Sequence, residues 1–240
     1  MASTFCVLST PRSGSTYICS LLDSHPEICC HQELFRPGRI WAMPVGPVVD
    51  DDEARSRDPL RWLDAVIAAS RAHGPRWRAI GFKLHLLQWP SVLEHVLFEP
   101  GIAILLLDRA DRLAQYASQK IADETRLFTW THDERGESVA VRFDAAEFEA
   151  FARAHDDLYR MARLVIRERT DVLELDYERI LAAETHRAVL AFLGLDPSAT
   201  LRAPERRQNP GDVLARFVNP DDVVAALRQT RWARYLPDKR

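Results

Sequence analysis

Residues Ile102-Ala103-Ile104-Leu105-Leu106-Leu107 are six consecutive apolar positions with no polar residue alternating between them. A run this short reads as a strand, and a strand that is apolar on both sides needs both faces covered. Phe5-Cys6-Val7-Leu8 is a shorter run of the same kind that stops at Pro11, and Val172-Leu173-Glu174-Leu175 supplies another. Arg78-Ala79-Ile80-Gly81-Phe82-Lys83-Leu84-His85 reads as a further strand. Between these runs the apolar residues recur at helical spacing: Tyr17, Ile18, Leu21 and Leu22 share one face of a helix over 15–22 that closes at Ser24-His25-Pro26. Helices are also predicted over 60–72, from the residues after Arg109 to Ile121, over 145–168, and over 179–193 ending at Gly194. Buried strands alternating with helices predict an α/β fold with a mainly parallel central sheet flanked by helices.

A chain of 240 residues suits a single domain, 1–240. Arg36 to Pro59 carries Pro37, Pro44, Pro47 and Pro59 together with Asp50-Asp51-Asp52-Glu53, a composition that predicts a solvated excursion. Residues 36–75 are therefore the candidate lid or acceptor-binding segment. The formal charge of −3 excludes a global nucleic-acid footprint, so basic chemistry has to be concentrated in a pocket. All four cysteines, Cys6, Cys19, Cys29 and Cys30, lie in the first thirty residues without C-x-x-C spacing, and are expected to be reduced thiols. The Met1 end shows no basic leader with a cleavage site, and no apolar run approaches the roughly 20 residues of a membrane span. A cytoplasmic protein is expected.

The first strand runs into Thr10-Pro11-Arg12-Ser13-Gly14-Ser15-Thr16 and then into a helix. A nucleoside-triphosphate loop follows G-x-x-x-x-G-K-[ST], in which backbone N–H groups cradle phosphates and the lysine neutralises the outer ones. Gly14 and Thr16 fit that pattern, but Ser15 holds the lysine position and Ser9 that of the first glycine. A cradle without the lysine suits one compact anionic group, such as a 5′-phosphosulfate, held by helix N-terminal N–H groups with Arg12. The plain alternative is a polar turn opening a helix. A serine-hydrolase elbow is disfavoured, because Pro11 stands where its first glycine belongs.

A second candidate grip follows the strongest strand: Arg109 lies at a strand's C-terminal end, where open parallel sheets bind ligands, and Ser118 follows nine residues later. The alternative is an exposed Arg-Asp pair with a helical serine. In Lys83-Leu84-His85 the two polar residues fall on one strand face.

"TPRSGST", "LDRADRLAQYAS" and "VLELDYERIL…VLAFLGL" occur in the order in which the PAPS-dependent sulfotransferases carry them, and the chain resembles that family over about Phe5 to Gly211. "GFKLH", "DRLAQ" and Arg207-Gln208 resemble most the bacterial carbohydrate sulfotransferases of the trehalose 2-sulfotransferase type. The resemblance implies a P-loop NTPase-like sulfotransferase fold and transfer of a sulfuryl group from PAPS to a hydroxyl of a carbohydrate or glycosylated small molecule, with PAP as product. It implies that Arg12, Ser13, Gly14, Ser15 and Thr16 hold the 5′-phosphosulfate, and that Arg109 and Ser118, joined by the late Arg207 (beside Arg206), hold the 3′-phosphate. It also implies a homodimer as the candidate assembly and requires no metal.

Glu33, in Cys30-His31-Gln32-Glu33, resembles the glutamate that carbohydrate sulfotransferases place near the acceptor hydroxyl, and a carboxylate there can accept the proton if burial raises its pKa toward working pH. His85 is the rival base, since Lys-x-His resembles the catalytic strand of cytosolic aryl and steroid sulfotransferases. Arg12 and Lys83 join the catalytic set, Lys83 to hold the transferring group. His31 has no assigned role. Tyr177 is a candidate adenine contact, and Trp41 and Trp130 a candidate sugar-stacking surface. A P-loop kinase and a non-catalytic nucleotide-binding module remain the competing readings.

Overall fold

The computed structural model describes residues 3–36, 38–74, 76–128, 139–203 and 211–236. In chain order the elements are β1 (Ser3–Ser9), α1 (Ser15–Asp23), β2 (Ile28–Glu33), α2 (Asp52–Arg57), α3 (Pro59–His73), β3 (Ala79–His85), α4 (Pro90–Phe98), β4 (Ile102–Asp108), α5 (Arg112–Thr125), α6 (Ala145–Ile166), β5 (Val172–Asp176), α7 (Ala183–Phe192) and α8 (Pro220–Leu227). The chain divides into two compact units, one of residues 1–108 and 161–203 and one of residues 109–160 and 204–240.

The first unit holds the five strands as one parallel sheet in the order β2-β3-β1-β4-β5, flanked by helices. Central β1 pairs with β3 from Ser3↔Ala79 to Ser9↔His85 and with β4 from Thr4↔Ile102 to Ser9↔Leu107. Phe5, Val7, Leu105, Leu107 and Leu175 pack with Ile18, Leu21 and Leu22 of α1 and with Val189 and Leu190 of α7, which sets one face of the sheet. Strand alternation turns Cys6, Leu8, Ile104 and Leu106 to the other face, where they are fully buried too. This double burial is the outcome the unbroken apolar runs require. Gly81 sits under the Phe5 ring, and a Cβ there would lie 2.1 Å from Phe5 Cζ. The end of α6 is tied to the sheet by Arg163, which donates to Asp108 of β4 and Glu174 of β5.

The segment expected as a solvated excursion is partly packed. Val45 and Val49 are buried, the Trp62 indole N–H donates to the Val48 carbonyl at 2.9 Å, and Arg55 of α2 is a buried side chain. Arg55 donates to the carbonyls of Leu34 and Arg36 and to Asp52, and its guanidinium lies 5.5 Å from the Trp89 ring centroid. The acidic cluster opens α2: the Asp51 carboxylate accepts from the Ala54 N–H, with Asp52 and Glu53 in the first turn, where negative charge meets the positive end of the helix dipole.

The second unit gathers around an aromatic core from α5, the first part of α6 and α8 with its flanks. Tyr116, Phe143, Phe148, Phe217 and Trp232 are buried together. Arg112 is buried in it, with Nε 3.0 Å from Asp156 Oδ1 and the guanidinium over the Tyr159 ring. Asp111 caps α5 by accepting from the Ala114 N–H.

Candidate functional site

β1 ends at Ser9 and the chain turns sharply before α1. Arg12 has φ 63 and Gly14 φ 84, two left-handed residues that bend the loop back onto the helix start. Ser13 is buried and its hydroxyl donates to the Thr10 carbonyl at 2.7 Å, so this side chain closes the loop on itself. Gly14 is the N-cap of α1 and brings no side-chain acceptor to the first-turn N–H groups, which lack intrahelical partners. The Tyr177 ring presses on Gly14, since a Cβ there would lie 2.7 Å from Tyr177 Cδ2. Tyr177 therefore packs beneath the loop. Ser15 is buried and Thr16 half-buried in the first turn of α1.

The second contribution comes from β2, a strand the sequence reading leaves out. Ile28, Cys29 and Cys30 pair with Ala79, Ile80 and Gly81, but Glu33 pairs with Lys83, so three steps along β2 match two along β3. The extra residue is a bulge, and bulges re-aim side chains. By strict alternation Glu33 would follow His31, which points toward α3 and contacts Ser70. Instead Gln32 donates to Ser20 Oγ of α1 at 3.1 Å, and Glu33 meets the Lys83 side of the sheet.

The result is a continuous polar chain across the ends of three strands and one helix. Lys83 Nζ is 3.0 Å from Thr16 Oγ1, to which it donates, and 3.0 Å from Glu33 Oε1. His85 Nε2 is 3.7 Å from the same Oε1, and His85 Nδ1 is 3.2 Å from Ser9 Oγ. Lys83 is only 1% exposed, so its ammonium is spent almost entirely on these partners. The polar pair predicted to share a β3 face does so, and both side chains meet Glu33. The condition of a raised Glu33 pKa is not met: burial does push it up, but the facing His85 ring and the Lys83 charge outweigh it. They hold the carboxyl well below the usual carboxylate range.

His31 is placed on the opposite face and is fully buried. Its Nδ1 accepts from the Met43 N–H at 3.0 Å and its Nε2 lies 2.9 Å from Ser70 Oγ, while burial lowers its pKa to about 4. It is a neutral histidine pinning the 38–45 segment. Trp41 comes close to the site through its backbone, its N–H donating to the Glu33 carbonyl at 3.0 Å, and Arg39 lies over its ring. Trp89 was not foreseen: it has φ 43 and its ring stands 5.5 Å from that of Phe35, two residues past Glu33. The signal was the Trp-Pro step opening α4.

Arg109 and Ser118 belong to the second unit. Arg109 directly follows β4 and is buried, with its carbonyl accepting from Arg112; Ser118 is buried two turns into α5. Arg206, Arg207 and Trp130 lie outside the described residues. Among the described residues no group of three or more metal-ligating side chains comes together, and no helix is long and apolar enough to cross a membrane. The four cysteines are buried free thiols, and burial pushes Cys29 up to about 12.

Two curated relatives resemble this chain along most of its length. Nodulation protein H of Rhizobium tropici is 25% identical over 92% of this chain and 95% of its own length. Nodulation protein H of Rhizobium meliloti (strain 1021) is 26% identical over 79% of this chain and 76% of its own. The crystal structure of a sulfotransferase from Alicyclobacillus acidocaldarius aligns over 100% of this chain and 97% of that one, at 17% identity and a TM-score of 0.46. The family model for Stf0 sulphotransferases matches residues 4–211. That range takes in the loop, the bulged strand and the Lys83 strand, and the chain belongs to the Stf0 sulphotransferase family.

Proposed function

We propose that the protein transfers a sulfuryl group from PAPS to a hydroxyl of a carbohydrate or glycosylated small molecule. The observation that carries this reading is Lys83, whose ammonium lies 3.0 Å both from Thr16 at the phosphate-type loop and from Glu33. One buried cation thus spans an anion cradle and a carboxylate. The residues present suit such a donor: the N-terminal turn of α1 is capped by glycine alone, and helix N-termini attract anions. Bound PAPS supplies an activated sulfuryl group, whose S–O bond to the 5′-phosphate breaks as the acceptor oxygen bonds to sulfur, releasing PAP. Arg12 and the N–H groups of Ser15 and Thr16 hold the leaving 5′-phosphate. Lys83 offsets the charge developing there. Glu33 takes the acceptor's proton, and it is ionised at neutral pH because Lys83 and His85 hold it so. An anion in the loop draws on the same ammonium and loosens its hold on Glu33, raising its basicity when a donor is present. Arg109, Ser118 and Arg207 hold the 3′-phosphate, and Trp41 offers an aromatic edge near the acceptor.

The test is calorimetric titration with PAP, ADP and AMP without added metal, followed by transfer of label from PAPS to a panel of mono- and oligosaccharides. Binding that favours PAP over ADP, and labelled sugar, are expected. Arg109→Ala is expected to weaken PAP binding about 10- to 100-fold, the loss typical of a charge-assisted hydrogen bond, with AMP binding little changed. A preference for Mg²⁺-ADP would turn the reading to a kinase. Equal losses of PAP and AMP on Arg109→Ala would remove its 3′-phosphate role.

A further inference from the structure

We propose that Ser9 is a positioning residue that holds the His85 ring with Nδ1 on its own hydroxyl and Nε2 toward Glu33. The inference rests on the sulfuryl-transfer reading of this site. Ser9 is the last residue of β1, fully buried and in register with His85 on β3. Its Oγ lies 3.2 Å from His85 Nδ1, and the other ring nitrogen lies 3.7 Å from Glu33 Oε1.

An ionised carboxylate only accepts, so the ring nitrogen facing it carries the hydrogen. In the neutral ring this leaves Nδ1 with its lone pair, and the Ser9 hydroxyl donates to it. In the cation both nitrogens carry hydrogen and Ser9 accepts. In neither form does Nε2 present a lone pair, and Nδ1 is turned to a buried serine rather than to the acceptor side. In this arrangement Nδ1 is engaged by Ser9 and Nε2 faces the carboxylate.

The backbone is fixed as well: Gln88 Oε1 accepts from the His85 N–H at 3.2 Å, and the Ser9 carbonyl accepts from the Leu86 N–H at 2.9 Å. On the far side, Lys83 meets the same Glu33 Oε1. That oxygen is anchored from two directions, and removing Ser9 loosens one of them. The groups facing His85 are therefore Ser9, Glu33, Gln88 and, through Glu33, Lys83. Control of a histidine tautomer by its second ring nitrogen is a strong determinant of rate elsewhere in enzymes.

The test uses the full chain labelled with ¹⁵N-histidine, with His85 assigned by the resonances lost in His85→Gln. At a pH where the ring is neutral, a pyridine-type Nδ1 and a pyrrole-type Nε2 are expected; the reverse pattern overturns the proposal. In Ser9→Ala the ring is expected to become a tautomer mixture. Transfer from labelled PAPS to the best sugar of the panel should then fall about tenfold, a fraction of what a general base supplies, with PAP affinity unchanged within about twofold. Ser9→Thr, which keeps the hydroxyl, should restore the ring pattern. A serine that merely fills space would leave both spectrum and turnover of Ser9→Ala at wild-type values, which also overturns the proposal. If wild-type protein binds no PAP, the transfer reading fails while the ring spectrum still reports on Ser9.

Discussion

The end of β2 serves both faces of the sheet, and the two faces treat a buried ionisable group in opposite ways. Toward α3, His31 is enclosed with Ser70 and the Met43 N–H as its partners, and burial wins: the ring stays neutral down to about pH 4. Toward α1, Glu33 is mostly buried too, yet it is held ionised because Lys83 and His85 were brought to the same place. Burial by itself neutralises; a charge survives only where the fold supplies its counter-charge. The His31 face is a fastener, and the Glu33 face keeps an ionised group in the interior.

The sharpest way to break this contrast is Glu33→Gln, which keeps the shape and removes the proposed base. Turnover is expected to fall 10²- to 10⁴-fold with PAP affinity within about twofold. Wild-type turnover would strip the α1 face of its role. Next is Lys83→Met, which removes the counter-charge. A loss of about 10²-fold in kcat is expected, as for removal of a single electrostatic donor. Glu33 must be ionised to work, and without Lys83 burial raises its pKa, so the acid limb of the kcat profile should move to higher pH. An unmoved limb would mean that Lys83 does not set the ionisation of Glu33.

The smallest effect is expected on the other face. The folded pKa of His31, about 4, lies below its unfolded value near 6.5, so the unfolded chain binds more protons between them. Stability from this group is full above pH 6.5 and is lost as pH falls toward 4, about 2 kcal/mol of it between pH 7 and pH 5. Denaturant unfolding at both pH values should show a shallower dependence in His31→Gln. Equal slopes would show that His31 is not the buried titrating group described.

Much of this was readable in the chain. The apolar runs mark β1, β3, β4 and β5, and the two-residue step from Lys83 to His85 places both on one face. β2 was not readable, because Ile-Cys-Cys-His-Gln-Glu is neither an apolar run nor a clean alternation, and its pairing partner lies some fifty residues away. The bulge is a property of that pairing and leaves no local trace. The same holds for Arg55: an arginine in an acidic, proline-rich stretch reads as solvated, and its burial rests on the Leu34 and Arg36 carbonyls, Asp52 and the Trp89 ring, which no local pattern shows. The depressed Glu33 pKa follows from the same blindness, since the sequence shows its burial more readily than its neighbours.

The β2 bulge has one more consequence. Two adjacent residues, Gln32 and Glu33, face α1, one tethering the helix through Ser20 and the other meeting Lys83. A shortened chain lacking Gln32 would form a regular strand and still deliver the glutamate opposite Lys83, because the pairing upstream, Ile28 to Cys30 with Ala79 to Gly81, is independent of it. The insertion therefore adds a mooring line rather than the carboxylate that meets Lys83. The carboxylate and the helix that opens at the Gly14 loop are fastened to one another by neighbouring links of the same backbone.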